Sequence, residues 1–114
     1  MVHKNADMVH MLRENIRGGI GKVETDVVYK GEELLGKATL FNRLTIKPGS
    51  SIGEHAHTED AEIYYVLEGE ITAFDNGNPV VMHKGDCMFT GGGETHALEN
   101  KSGADAVILA VVLA

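Results

Sequence analysis

Turn signals interrupt this chain at intervals of about ten residues, and that spacing restricts the fold more than any other feature. Fourteen glycines and several turn dipeptides separate short apolar runs, which is the pattern of antiparallel strands in a sandwich or barrel. Asn76-Gly77 is the clearest signal, because Asn-Gly tolerates the positive φ angles of a type I′ turn. We therefore predict that Val80–Met82 pairs with Ile71–Phe74 and that the fold class is all-β.

The two ends of the chain differ in how clearly they can be assigned. The final apolar stretch, Ala106–Ala114, is too short to cross a membrane and predicts a buried strand. Near the other end, Met8–Arg17 has mild helical spacing and Val23–Tyr29 suggests an edge strand.

Residues 1–35 therefore form an N-terminal segment that supplies an edge strand or dimer contact, and residues 36–114 form the barrel of a single domain. Because an uncovered edge invites pairing across a two-fold axis, we expect a homodimer.

Charge and cysteine content exclude several classes of partner. Seventeen acidic against ten basic residues give a formal charge of −7, which argues against nucleic acid and anionic membranes. The first residues include charged side chains where a signal peptide would need an apolar stretch. The single cysteine, Cys87, excludes an internal disulfide, suits a reducing compartment and is expected to be a small buried hydrophobe. We therefore expect a cytoplasmic protein.

A His-x-His pair, His55 and His57, is the first sign of a chemical site. Alternate side chains of a strand share a face, so both imidazoles can reach one ion. Glu62 follows across a polar turn and is a third candidate ligand, although Glu59 and Asp60 compete with it. His96 is remote in sequence, yet a barrel can bring it alongside. Imidazoles with one carboxylate suit Mn, Fe, Co, Ni, Cu or Zn rather than Mg or Ca.

The residues around these candidates form two gapped motifs. The first is G-x5-H-x-H-x4-E-x6-G from Gly49 to Gly69, and the second is G-x5-G-x-G-x2-H-x3-N from Gly85 to Asn100. Both motifs, in this order and separated by a hairpin, resemble those of the cupin superfamily. Gly91 is the one departure in the second motif, since cupins usually have proline there. The chain is most similar to small single-domain cupins of the oxalate-decarboxylase-like type.

The resemblance implies a fold, a cofactor and a set of ligands. The fold would be a double-stranded β-helix, or jelly-roll, barrel. His55, His57, Glu62 and His96 match the positions that bind the ion in cupins, so we expect one divalent transition metal per chain, namely Mn, Fe, Ni, Co or Zn. Tyr64 shares the strand face of Glu62, so it either lines the pocket or fills the core.

The reaction is less constrained than the fold, because cupins include enzymes and pure binding proteins. Our leading hypothesis is a metal-dependent enzyme, such as a dioxygenase, decarboxylase or isomerase, acting on a small carboxylated or oxygenated metabolite. The alternative is a non-catalytic binding or sensory module. Oxalate decarboxylases usually have an arginine three residues before the first motif histidine, where this chain has Ile52. We therefore expect binding of a carboxylate such as oxalate with little decarboxylation. Arg43 and Arg17 are the other cations weighed, and an outward ion pair is the favoured role for Arg43.

Overall fold

The computed structural model describes all residues from Met1 to Ala114 and is built almost entirely of strands. Three short 3-10 turns, at Asn5–Asp7, Ile16–Gly18 and Gly31–Leu34, are its only helical elements. None of these could span a membrane. The ten strands are β1 (Val9–Glu14), β2 (Lys22–Lys30), β3 (Ala38–Ile46), β4 (Ser51–Ala56), β5 (Ala61–Glu68), β6 (Glu70–Asp75), β7 (Asn78–His83), β8 (Cys87–Thr90), β9 (Thr95–Glu99) and β10 (Ala106–Leu113).

The strands form two antiparallel sheets that enclose one core. The larger sheet has the order β1-β2-β3-β10-β5-β8, and the smaller has the order β4-β9-β6-β7. Strands distant in sequence are thus neighbours in space, as in a jelly-roll, and the predicted all-β barrel is confirmed. The core contains fourteen buried residues contributed by both sheets, among them Ile46, Val66, Ile71, Leu98 and Ile108.

The central hairpin forms as its turn sequence predicts. β6 pairs with β7 in the register Ile71 to Met82 and Ala73 to Val80. Asn76 and Gly77 connect them with φ angles of 51° and 86°. These positive φ angles match the type I′ turn that twists in the same sense as the two strands.

The N-terminal segment differs from the sequence-based expectation in two ways. Met8–Arg17, read as mildly helical, contains strand β1, and Val23–Tyr29 lies in β2 between β1 and β3 rather than at an edge. The edge strand is β1, whose residues are all exposed. A strand without a buried face does not need to alternate apolar and polar residues. The sequence of β1 therefore lacks the alternation from which strands are predicted.

The expectation of a buried Cys87 is wrong. Its thiol is free and exposed at the start of β8. On β8, Met88 and Thr90 are buried while Cys87 and Phe89 point outward. Strand β10 alternates in the same way, with Ala106, Ile108, Ala110 and Val112 buried and the residues between them half-buried. A continuous apolar run therefore marks a strand here without showing that every residue is in the core.

Candidate metal centre

Three strand ends bring the four predicted ligands together inside the barrel. His55 lies on β4 and is the direct cross-strand partner of His96 on β9. Glu62 is near the start of β5, in the opposite sheet. His57 follows the end of β4, where its backbone N–H donates to the Glu94 carbonyl and its own carbonyl accepts from Gly93 N–H. These two backbone bonds hold His57 beside the loop that leads into β9.

The donor atoms of the four side chains converge on a single point. The Nε2 atom of His96 lies 2.9 Å from Nε2 of His55 and 3.1 Å from Nε2 of His57. Glu62 Oε1 is 3.1 Å from Nε2 of both His57 and His96, and 3.9 Å from Nε2 of His55. All four donor atoms lie within 4.8 Å of one another, so the cluster can hold one metal ion.

The other ring nitrogens explain why the Nε2 atoms face inward. Nδ1 of His55 lies 2.8 Å from the Gly53 carbonyl oxygen, and Nδ1 of His57 lies 2.7 Å from a carboxylate oxygen of Asp60. The Gly53 carbonyl and the Asp60 carboxylate accept from Nδ1, so each ring turns its Nε2 atom toward the centre. His96 Nδ1 is held 2.9 Å from the Thr90 hydroxyl. Such outer partners orient the imidazoles of metal sites.

This donor set fits a divalent transition metal. The Nε2 atoms of His55 and His57 and the ionised carboxylate of Glu62 point at one small volume, where a divalent cation would be attracted to all three groups. The separations of 2.9 to 3.1 Å around His96 Nε2 suit donors that would share one ion. Nitrogen donors with one carboxylate favour Mn, Fe, Co, Ni, Cu or Zn over Ca or Mg.

The carboxyl group of Glu62 is ionised in this environment. Burial alone would raise its pKa, but the imidazoles of His55, His96 and His57 outweigh burial and hold the pKa at about 2. The pKa of His55 is raised, mainly by the Glu62 carboxylate beside it. Glu62 therefore supplies a negative charge to the centre at neutral pH.

Tyr64 both fills the core and lines the pocket, so the two roles considered for it are compatible. Its ring stacks on the His96 ring with centroids 4.7 Å apart and an angle of 18°. The side chain is buried and belongs to the main core cluster. Burial raises the pKa of its hydroxyl well above the usual value, and the Glu62 charge adds to this effect. The phenol therefore stays protonated near neutral pH and can donate a hydrogen bond but cannot act as a base.

A cavity of about 330 Å³ opens onto His55, His57 and Glu62. Its apolar wall includes Ile52, which stands three residues before His55, at the position considered above for an arginine. Asp60 also reaches this cavity, although it binds His57 Nδ1 instead of competing with Glu62 as a ligand. The volume is at the lower end of the range for small-molecule pockets.

The remaining titratable candidates divide between the pocket and the surface. Arg43 forms an ion pair with Asp26 at 2.9 Å, which confirms the outward pair predicted for it. Arg17 lines the pocket, as does Arg13, which sequence reasoning did not consider. His3, His10 and His83 lie apart from the cluster and contact Glu33, Asp26 and Glu70, respectively.

Sequence reasoning did not identify the groups that hydrogen-bond to the histidines or the arginine at the pocket mouth. Most of these groups have no recognisable pattern in the nearby sequence. The Gly53 contact is a backbone carbonyl, and Thr90 is an ordinary strand residue until the fold places it behind His96. Asp60 had a signal, since it follows His57 by three residues in the same turn. Arg13 could be found only by knowing that the N-terminal segment packs near the barrel mouth.

Comparisons with known proteins identify the family of the chain. The model of the "Cupin domain" family matches residues 42–112. An oxalate-binding protein from Thermotoga maritima is 41% identical over 113 residues, covering 99% of this chain and 93% of the relative. The crystal structure of a predicted oxalate decarboxylase from Thermotoga maritima superposes with a TM-score of 0.95 at 41% identity, over 99% of this chain and 98% of that one.

A more distant structure shares the fold alone. The polyketide cyclase RemF from Streptomyces resistomycificus superposes with a TM-score of 0.77 at 20% identity, over 99% of this chain and 78% of that one. At 20% sequence identity, a shared fold carries no information about the reaction. The family match over most of the chain and the relative with 41% identity establish the family. This chain belongs to the cupin domain family.

Proposed function

We propose that the protein binds one divalent transition-metal ion through His55, His57, Glu62 and His96, and that it captures a small chelating carboxylate such as oxalate on that ion. The convergence of three imidazoles and one ionised carboxylate at a pocket carries this proposal. The donor chemistry suits Mn, Fe, Ni, Co or Zn. The relative from Thermotoga maritima, named an oxalate-binding protein, supports the choice of ligand.

The ion would supply a positive charge and free coordination positions for the oxygen atoms of the ligand. The chain supplies the rest of the site. Glu62 and the three histidines hold the ion, and Asp60, Gly53 and Thr90 hold the histidines. Because the formal charge of the chain is −7, the metal-free protein should repel a small dianion.

The geometry favours binding over acid–base catalysis. Tyr64 is protonated near neutral pH, since burial raises its pKa. Asp60 is already hydrogen-bonded to His57, and Glu62 is one of the four converging donors. Ile52 is an apolar wall residue that cannot pair with a carboxylate. With no free base beside the ligand, an enzyme built on this site would have to draw its reactivity from the ion itself.

Calorimetric titration with oxalate tests this function. Manganese-loaded protein should bind oxalate at one site per chain, and metal-free protein should not bind it. Little carbon dioxide should be released from the loaded protein. Equal affinity in both forms would place the ligand elsewhere, and rapid metal-dependent release of carbon dioxide would show that the protein is a decarboxylase after all.

We also propose that the protein is a homodimer, formed through the outer face of the larger sheet. The register places Phe41, Val111, Ile63 and Phe89 in one row across four strands. Leu109, Tyr65 and Cys87 form a second row beside it. Phe89 is 58% exposed and Tyr65 is 42% exposed, so the face offers apolar surface to a partner. An apolar sheet face of this kind is typical of a subunit interface.

A further inference from the structure

Two arginines line the pocket beside the candidate metal ligands and have no partner in the protein. Arg13 is at the end of β1, and Arg17 lies in the turn that follows. Neither forms an ion pair or donates a side-chain hydrogen bond, whereas Arg43, the remaining arginine, is paired with Asp26. An unpaired cation is ordinary on an open surface, but these two line the same small pocket as His55, His57 and Glu62, where a ligand of the metal centre would meet them.

The backbone of Arg17 is held in an uncommon conformation. Its φ and ψ angles are 54° and 34°, in the left-handed region that non-glycine residues rarely adopt. Asn15, two residues earlier, is also left-handed with a φ of 53°. Conformations of this kind cost on the order of 1 kcal/mol each, and they persist where the surrounding structure enforces them.

Strand β4 is the structure that enforces this conformation. A Cβ atom on Gly53 would collide with the Arg17 carbonyl oxygen, and one on Gly19 would collide with the Ser51 carbonyl oxygen. Ser51 N–H donates to the Ile20 carbonyl at 2.7 Å, and Ile20 N–H donates to the Ser51 hydroxyl at 2.9 Å. The turn is thus attached to the strand that contains His55, and its position relative to the metal ligands is fixed.

Arg17 shares its cavity with the candidate metal ligands. It lines the same cavity as His55, His57 and Glu62. The turn that contains Arg17 lies against β4, the strand of His55. A positive charge in this cavity will act on an anion bound there.

Building on the proposed function, we propose that Arg17, with Arg13 on the same pocket rim, binds the second carboxylate of a small dicarboxylate whose first carboxylate is held at the metal centre. A guanidinium binds a carboxylate through two parallel hydrogen bonds, and both arginines are free to do so. The pocket, at about 330 Å³, has room for a ligand longer than oxalate. The preferred ligands are therefore α-hydroxy or α-oxo acids with a second acid group.

Two matched ligands separate recognition by Arg17 from binding by the metal. Malate and 2-hydroxybutanoate share the same chain length and the same α-hydroxy acid head, and only malate has a second carboxylate. Manganese-loaded wild-type protein should bind both, and malate more tightly. Arg17→Asn removes the cation while keeping a residue that tolerates the left-handed region. It should weaken malate binding on the order of tenfold or more and leave 2-hydroxybutanoate binding within about twofold.

Controls make each outcome decisive. Lys84→Gln removes one positive charge far from the pocket and should leave both affinities unchanged, while Arg17→Lys should restore part of the malate affinity. Manganese stoichiometry in each variant shows that the centre is intact.

If the wild-type protein binds both acids equally and Arg17→Asn weakens neither, Arg17 has no such role and the metal-dependent function stands. If the loaded wild-type protein binds neither acid nor oxalate, both proposals fail together.

Discussion

At the scale of single residues, the centre depends on what each imidazole does with its second nitrogen. His55 and His57 donate from Nδ1 to Gly53 and Asp60, which turns both Nε2 atoms toward the place of an ion. Asp60 is the only charged group among these outer partners, and its side chain is 42% exposed. Its contribution can therefore be measured without opening a cavity in the core.

Asp60→Ala should lower metal affinity by roughly tenfold, since the loss of an outer partner frees the ring orientation and reduces the basicity of His57. Competition titration with a chelating dye measures the change. Glu59→Ala is the matched control, because Glu59 is the neighbouring acidic residue and is exposed. If both variants bound metal as tightly as the wild type, the hydrogen bond to Asp60 would have no role at the centre.

Spacing along one strand was enough to predict the His55–His57 pair, because alternation is a local property. The place of His96 opposite His55 is not a local property: barrel topology allowed it, and the resemblance of the two motifs assigned His96 as a ligand. Arg17 could not be placed from sequence at all. Its position depends on close contact of the Arg17 backbone with Gly53, thirty-six residues along the chain.

At the scale of elements, the N-terminal strand β1 is the least buried part of the barrel. Every one of its residues is exposed. It is attached to β2 by backbone pairing and by His10, whose Nδ1 lies 2.6 Å from a carboxylate oxygen of Asp26. Asp26 also accepts from Arg43 on β3, so this group of side chains joins three strands. Because β1 has no buried face, its sequence lacks the alternation that marks a strand, and Met8–Arg17 was read as mildly helical and Val23–Tyr29 as the edge strand.

The attachment of β1 should depend on pH. The hydrogen bond to Asp26 raises the pKa of His10 above its ordinary value of 6.5, and the nearby Arg43 charge opposes the rise. Because the folded-state pKa is the higher one, the stabilisation is complete below pH 6.5 and is lost as pH rises through the folded-state pKa. Amide exchange protection of β1 should therefore fall on the alkaline side. His10→Gln should remove this dependence, and protection that rises with pH in the wild type would contradict it.

At the scale of the whole molecule, the larger sheet has an apolar outer face that a single chain leaves partly exposed. Turn signals and apolar runs were enough to predict an all-β barrel, since each strand bounded by turns is recognisable locally. They could not show which side of each strand faces the core. Cys87 was assigned to the interior for this reason, although it lies on the outer face beside Tyr65.

Phe89→Asp should convert the proposed homodimer to a monomer, because it puts a charge on the outer face where Phe89 is 58% exposed. Light scattering at micromolar concentration measures the mass. Val80→Asp is the matched control, as Val80 is 49% exposed on the smaller sheet. A wild-type protein that is entirely monomeric, or a dimer that survives Phe89→Asp but is lost in Val80→Asp, would contradict the proposed interface.

The metal content of reconstituted protein tests the central claim most directly. After loading with manganese or zinc and removal of excess metal, elemental analysis should find one ion per chain in the wild type and in His83→Ala. His55→Ala and His96→Ala should lose tight binding while circular dichroism still shows the folded barrel, since each removes one of the four converging donors. Full occupancy in both ligand variants would show that the ion, and the chemistry assigned to it, belong elsewhere in the molecule.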